Sequence, residues 1–283
     1  MGRPLCIVTD SSADLTAAEA AELQIEVVPL AVTIGGDLTV PETDLTRDQY
    51  FELVRGKTVS TSQPAVGAFQ ETFQAALDRG CDVLCITLST RLSGTYQAAQ
   101  QAAEGMQGVW VHDSRGVSRL QAIQVLAAGR YAREGGDCAG ALQLINGMLQ
   151  RTTALVQLDT LDRLRQGGRA ASIIHLFDRV AKSFQIKPVV VVEDGALRFA
   201  KVVRTFRRGL DYMLERLAPL APAECAAVMH TRVPDVAEAF ADQLAEVGCI
   251  PREQITVVEA GAVISSHGGE GMIGALLVQK PQL

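Results

Sequence analysis

The feature that most constrains this chain is an alternation of short apolar runs with amphipathic stretches, which continues through all 283 residues. Apolar runs suit strands covered on both faces, and amphipathic stretches suit the helices that cover them. The pattern therefore predicts an α/β fold with mostly parallel or mixed sheets flanked by helices. Leu5–Thr9, Glu26–Ile34, Val83–Leu88 and Val109–His112 read as strands of a first domain, residues 1–150, with helices over Ala17–Leu23, Ala65–Arg79, Thr95–Gly105 and Val117–Glu134. A second domain, residues 151–283, repeats the grammar with strands at Ala154–Leu158, Pro188–Val192, Leu197–Val203, Ala226–His230, Thr256–Glu259 and Gly274–Val278. Glu193-Asp194-Gly195 between two of these is a hairpin signal, so the second sheet is expected to be mixed. The length exceeds what one hydrophobic core comfortably fills, which also points to two domains. No Gly/Ser-rich or Pro-rich linker separates them, so they are expected to pack closely with a ligand site between them.

Charge and composition exclude several functions. A net charge of -6 and a pI near 5.3 leave no global positive field to draw the chain to nucleic acid or an anionic membrane. The longest apolar runs, such as Pro188–Val192 and Met272–Val278, are too short to span a bilayer, so no stable membrane insertion is expected. The first strand begins almost at once, leaving no room for an export leader, and the expected location is the cytoplasm. Six cysteines, at 6, 81, 85, 138, 225 and 249, lack paired metal-ligand spacing and read as reduced structural residues, with no metal and no cofactor expected.

Polar chemistry concentrates where strands give way to helices. Asp10-Ser11-Ser12-Ala13-Asp14 follows the first strand, at the carboxyl end of the sheet where open α/β folds bind ligands, so Asp10 and Ser11 are candidates to line a site. Asp14 or Thr16 equally suits a helix cap. Ser60-Thr61-Ser62-Gln63-Pro64 and Ser89-Thr90-Arg91-Leu92-Ser93-Gly94-Thr95 each place several hydroxyls ahead of a helix. One hydroxyl in each is expected as a cap, with Pro64 in the first turn. The others could present donors to an anion beside a helix N-terminus. Gly261–Gly271 reads as a glycine- and serine-rich loop whose His267 could donate to an anion or act as a base near a serine. The GxGxxG match at residues 269–274 lacks a following βα unit and is set aside. Arginines cluster at Arg163, Arg165 and Arg169 and again at Arg204, Arg207 and Arg208, either as solvated faces or as anion or partner sites.

Ile7-Val8-Thr9-Asp10-Ser11-Ser12-Ala13-Asp14-Leu15, Thr61-Ser62-Gln63-Pro64, Leu92-Ser93-Gly94-Thr95-Tyr96 and Gly167-Gly168-Arg169, in this order, resemble motifs of the DegV family of bacterial fatty-acid-binding proteins. The resemblance spans nearly the whole chain. It implies two α/β domains and a long-chain fatty acid such as palmitate, with its carboxylate held by hydroxyls at Thr61 and Ser93 and its tail in an apolar tunnel covered by the second domain. Ser62, Gly94, Thr95, Ser266 and His267 complete the expected ligand set. The resemblance also implies a non-catalytic binding subunit whose bound fatty acid is phosphorylated by a separate fatty acid kinase. The clustering of Arg204, Arg207 and Arg208 suggests a docking surface for an acidic face of that kinase. The segment Ser266-His267-Gly268-Gly269-Glu270-Gly271 keeps the family's histidine but departs from its usual loop. The competing expectation is a serine hydrolase using Ser93 and His267, disfavoured because the chain has no GxSxG elbow. Phosphate or nucleotide binding is disfavoured because it has no GxxxxGK[ST] loop.

Overall fold

The first seven strands are β1 (Leu5–Asp10), β2 (Glu26–Val28), β3 (Ala31–Ile34), β4 (Leu38–Pro41), β5 (Val59–Ser62), β6 (Asp82–Thr87) and β7 (Val109–Asp113). Between and after them run helices α1 (Ala17–Leu23), α2 (Arg47–Leu53), α3 (Val66–Asp78), α4 (Thr95–Ala103), α5 (Arg119–Arg133) and α6 (Cys138–Gln150). This is a computed structural model in which residues 2–160, 163 and 186–281 are described. The chain divides into two units, Met1–Gln150 with Gly261–Val263, and Arg151–Ala260 with Ile264–Leu283.

In the first unit a parallel sheet has the order β2-β1-β6-β7. Its central strands are apolar on both faces: Val8, Val83, Leu84, Cys85 and Ile86 are fully buried, as strands covered on both sides require. Phe69, Phe73 and Ala76 of α3 and Ala98, Ala99 and Ala102 of α4 pack side by side with Val8, Val83 and Cys85. The connection after β1 runs to β2 on one side and the later connection places β6 on the other. The carboxyl ends of β1 and β6 therefore form the switch point where open α/β sheets bind ligands.

Glu26–Ile34, expected as one strand, is two. Pro29 offers no N–H to a ladder, so β2 stops at Val28 and the chain leaves for a second sheet of three antiparallel strands, β4-β3-β5.

The second unit contains β8 (Thr152–Gln157), β9 (Lys187–Glu193), β10 (Ala196–Val203), β11 (Ala223–His230), β12 (Ile255–Glu259) and β13 (Ile273–Gln279). Its described helices are α7 (Phe206–Leu217), α8 (Pro234–Gly248) and α9 (Ala262–Gly268), the last with its first residues in the first unit. The sheet order is β10-β9-β8-β13-β11-β12, with only β11 and β12 parallel among these neighbours, so the sheet is mixed as expected. Asp194 and Gly195, both at positive φ, make the tight turn between β9 and β10. One core of this unit gathers Leu155, Val189 and Val228 under Met213 and Leu217 of α7 and Phe240 and Leu244 of α8. Gly167-Gly168-Arg169 and Arg165 lie outside the described residues. The cysteines at 6, 81, 85, 138, 225 and 249 are free thiols, and no helix among the described residues is long and apolar enough to cross a membrane.

Phe73 is fully buried between α3, α4 and the parallel sheet. Replacing it with Ala should cost about 3–5 kcal/mol, read as a lower urea midpoint in equilibrium unfolding.

Candidate functional site

A buried carboxylate organises the switch point. Asp10 ends β1 fully buried, and its two oxygens accept from four donors: the Ser12 N–H at 3.1 Å, the Ser12 hydroxyl at 2.5 Å, the Leu88 N–H at 2.8 Å and the Gln121 Nε2 amide at 3.1 Å. Leu88 follows β6, and Gln121 lies in a stretch of α5, Arg119–Gly129, that is buried on every side. The same Gln121 amide lies 2.9 Å from the Thr9 hydroxyl and 3.3 Å from the Ile86 carbonyl. Burial pushes the Asp10 carboxyl pKa upward, and the bonds from Ser12, Leu88 and Gln121 oppose that shift. Asp10 thus pins the ends of β1 and β6 from below.

Ser11 also serves the scaffold. Its hydroxyl accepts from the Leu30 N–H at 3.0 Å and donates to Glu42 at 2.6 Å. Asp14 is buried with φ 51°, accepting the Ser118 hydroxyl at 2.5 Å and the Gly261 N–H at 2.7 Å. Thr16, not Asp14, caps α1, in a capping box with Glu19.

The two hydroxyl-rich segments meet. A Cβ placed on Gly94 would come within 2.1 Å of Gln63 Oε1, so the Gln63 carboxamide lies directly against the Gly94 backbone, an approach only glycine permits. Thr61 and Ser62 are the last residues of β5, half-buried and exposed respectively. The Ser93 hydroxyl is 2.8 Å from the Thr95 hydroxyl and accepts the Thr95 N–H at 3.2 Å.

The expected hydroxyl cap of α3 does not form. The residue before a proline is driven to extended backbone, and the chain stays extended through Ala65 (φ -66°, ψ 146°), so α3 starts at Val66 with no side-chain cap. α4 likewise starts after Gly94 without a side-chain cap bond. α1 and α2, by contrast, both carry complete capping boxes, Thr16 with Glu19 and Thr46 with Gln49. Two helices therefore begin at residues, Ala65 and Gly94, that give no side-chain cap, with a partial positive charge at each start and the hydroxyls of Thr61, Ser62, Ser93 and Thr95 in the segments that lead into them. Such a set can receive an anionic oxygen without placing a buried cation against it.

Ser266 and His267, expected in a loop, lie on α9 in the second unit, Ser266 buried and His267 half-buried. The segment is helical because its first turn is satisfied from far away in sequence. Asp14 receives the Gly261 N–H, and Glu42 Oε1 receives the Val263 N–H at 2.7 Å. The sequence marks Glu42 only by its place after a short apolar run, and nothing local reports that it is 3 % exposed. Burial and the charge of Asp14 push its pKa up to about 7, against the pull of Ser11, Val263 and Arg47. Arg207 and Arg208 lie in the first turn of α7 and Arg204 just before it, all exposed. No group of three or more His, Cys, Asp or Glu residues among the described residues could hold a metal.

A parallel-sheet unit with hydroxyl-rich turns at its switch point and a mixed-sheet unit define a two-unit α/β protein. The chain belongs to the DegV family: the family model, described as "Uncharacterised protein, DegV family", matches residues 4–280. DegV domain-containing proteins of Halalkalibacterium halodurans and Streptomyces coelicolor are each 34 % identical, over 95 % and 98 % of this chain and 96 % and 99 % of their own. A Thermus thermophilus DegV family protein, described by its fatty acid binding, superposes with a TM-score of 0.89 at 27 % identity, covering 98 % of this chain and 99 % of that one. A fatty-acid-binding DegV family protein of Streptococcus agalactiae gives 0.84 at 25 % identity, covering 99 % and 100 %.

Replacing Asp10 with Ala would leave the Leu88 N–H and the Ser12 N–H without their acceptor, while the Gln121 amide keeps Thr9 and Ile86. At roughly 1–3 kcal/mol for each stranded buried donor, partly relieved by rearrangement, the loss should be about 3–5 kcal/mol in a chemical denaturation curve.

Proposed function

We propose that the chain binds a long-chain fatty acid such as palmitate, with the carboxylate at the paired turns of the first unit. Thr61 and Ser93 donate their hydroxyls, Ser62 and Thr95 flank them, and Gly94 lets the backbone approach the head group. The observation that carries the reading is the meeting of two hydroxyl-rich segments at two helices that begin without side-chain caps. The fatty acid binding of the Thermus thermophilus relative supports it. Neutral donors orient the carboxylate, while the apolar tail supplies most of the affinity at about 0.8 kcal/mol for each methylene removed from water. Ser93 then acts as a hydrogen-bond donor, not as a nucleophile.

A hydroxyl donating to a carboxylate contributes about 1.5–3 kcal/mol. Thr61→Ala and Ser93→Ala should each weaken fatty acid binding by roughly 10- to 100-fold in a titration, with the native circular dichroism spectrum retained. Mass spectrometry of lipid extracted from the purified protein provides the prior test. Finding no fatty acid there, and none bound on titration, overturns the reading, while fluorophosphonate labelling of Ser93 would point to a hydrolase instead.

The reading extends to a partner: the bound fatty acid is presented to a fatty acid kinase that docks on Arg204, Arg207 and Arg208. Two arginines in the first turn of α7 face the wrong end of the helix dipole, so helix stability does not account for them. A groove of about 490 Å³ beside them is lined by Lys201, Arg204, Arg208 and Tyr212 together with the acidic Asp211 and Glu215, with Lys201 over the Tyr212 ring. Reversing Arg207 and Arg208 to Glu should lower the kinase's association rate at low salt and leave fatty acid affinity unchanged. Equal kinase turnover with the variant and the wild type would exclude this surface.

A further inference from the structure

Two carboxylates buried against one peptide are an unusual way to begin a helix. Asp14 and Glu42 are 4 % and 3 % exposed. A Cβ on Gly261 would come within 2.2 Å of Glu42 Oε1 and 2.8 Å of Asp14 Oδ1, so both groups crowd the same Cα. Asp14 holds the Gly261 N–H and Glu42 holds the Val263 N–H, each at 2.7 Å. The remaining oxygens are taken by the Ser118 hydroxyl at 2.5 Å and the Ser11 hydroxyl at 2.6 Å. The charges acting on the pair are those of Arg47, the half-buried first residue of α2, and Arg119 of α5. Arg119 is committed elsewhere, forming a two-pronged bridge to Glu19 at 2.7 and 2.9 Å while its Nη1 also reaches the Asp14 carbonyl. Two buried carboxyl groups therefore crowd one Cα, and their mutual repulsion and burial act against the attraction of Arg47 and Arg119.

We propose that Asp14 and Glu42 form a proton-operated latch on the first turn of α9: with a proton on the pair, Gly261 and Val263 are held, and with both groups ionised their repulsion releases that turn. The segment released is the one that carries Ser266 and His267, so the latch sets how its order depends on pH. The latch does not require bound lipid, and its test is independent of the fatty acid reading.

The sign follows from linkage. Glu42 titrates near 7 when the latch is closed and near its ordinary 4.5 when it is open, so closure is favoured fully below about 4.5. The latch is lost progressively as pH rises to about 7 and is constant above that. The raised Asp14 value acts in the same direction.

Amide hydrogen exchange of lipid-free, full-length protein tests this through peptides covering residues 258–268, with rates corrected for intrinsic exchange. Protection of Gly261–Val263 should fall at least ~10-fold between pH 5 and pH 7.5 and then level off. Glu42→Gln, which keeps the shape and the acceptor for Val263, should remove most of that dependence. A wild-type change smaller than this, or a Glu42→Gln profile as steep as the wild type, overturns the latch. If the variant does not fold, the carboxyl-carbon resonance of Glu42 in the wild type decides: a midpoint near 7 supports the latch, and one below about 5.5 rejects it.

Discussion

The carboxylate of Asp10 is the point on which the first unit depends. Parallel strands have no direct turn between them, so something must tie the ends of β1 and β6 where the order of the sheet reverses. Asp10 does so by accepting the Leu88 N–H across the strands, while Gln121 reaches in from α5 to the same carboxylate and to both strands. A buried ion costs free energy unless its lone pairs are filled, and here four donors fill them. The consequence is a fixed anchor at Leu88 for the segment from Ser89 to Thr95.

Two kinds of polar residue look alike in the chain. Asp10, Ser11, Ser12 and Asp14 turn inward and spend their hydrogen bonds on the fold. Ser62 stays exposed, and Thr61 and Ser93 stay half-buried. Capping boxes are complete at α1 and α2, and side-chain caps are missing at α3, α4, α5 and α8.

Much of the plan was legible in the residues, because period and turn chemistry are local. The buried runs of β1, β6 and β9, the helix Ala17–Leu23 and the Asp194-Gly195 turn follow from patterns a few residues long. Pro29 splitting β2 from β3 has a local signal too, as do the Gly35-Gly36 turn between β3 and β4 and the Thr46-to-Gln49 capping box of α2, but the run from 35 to 59 carries periodicity too weak to place its elements.

By itself the sequence determined the fold class, the mixed sheet and the family, since each rests on short-range pattern or on motifs in a fixed order. Only the tertiary structure decided that Asp10 and Ser11 turn inward, that Gln63 rests on Gly94, and that Asp14 and Glu42 begin α9 from more than 200 positions away. The physical reason is the same in each case. A carboxylate's partners and its burial are set by which distant segments close over it, and residue identity at one position carries no record of them.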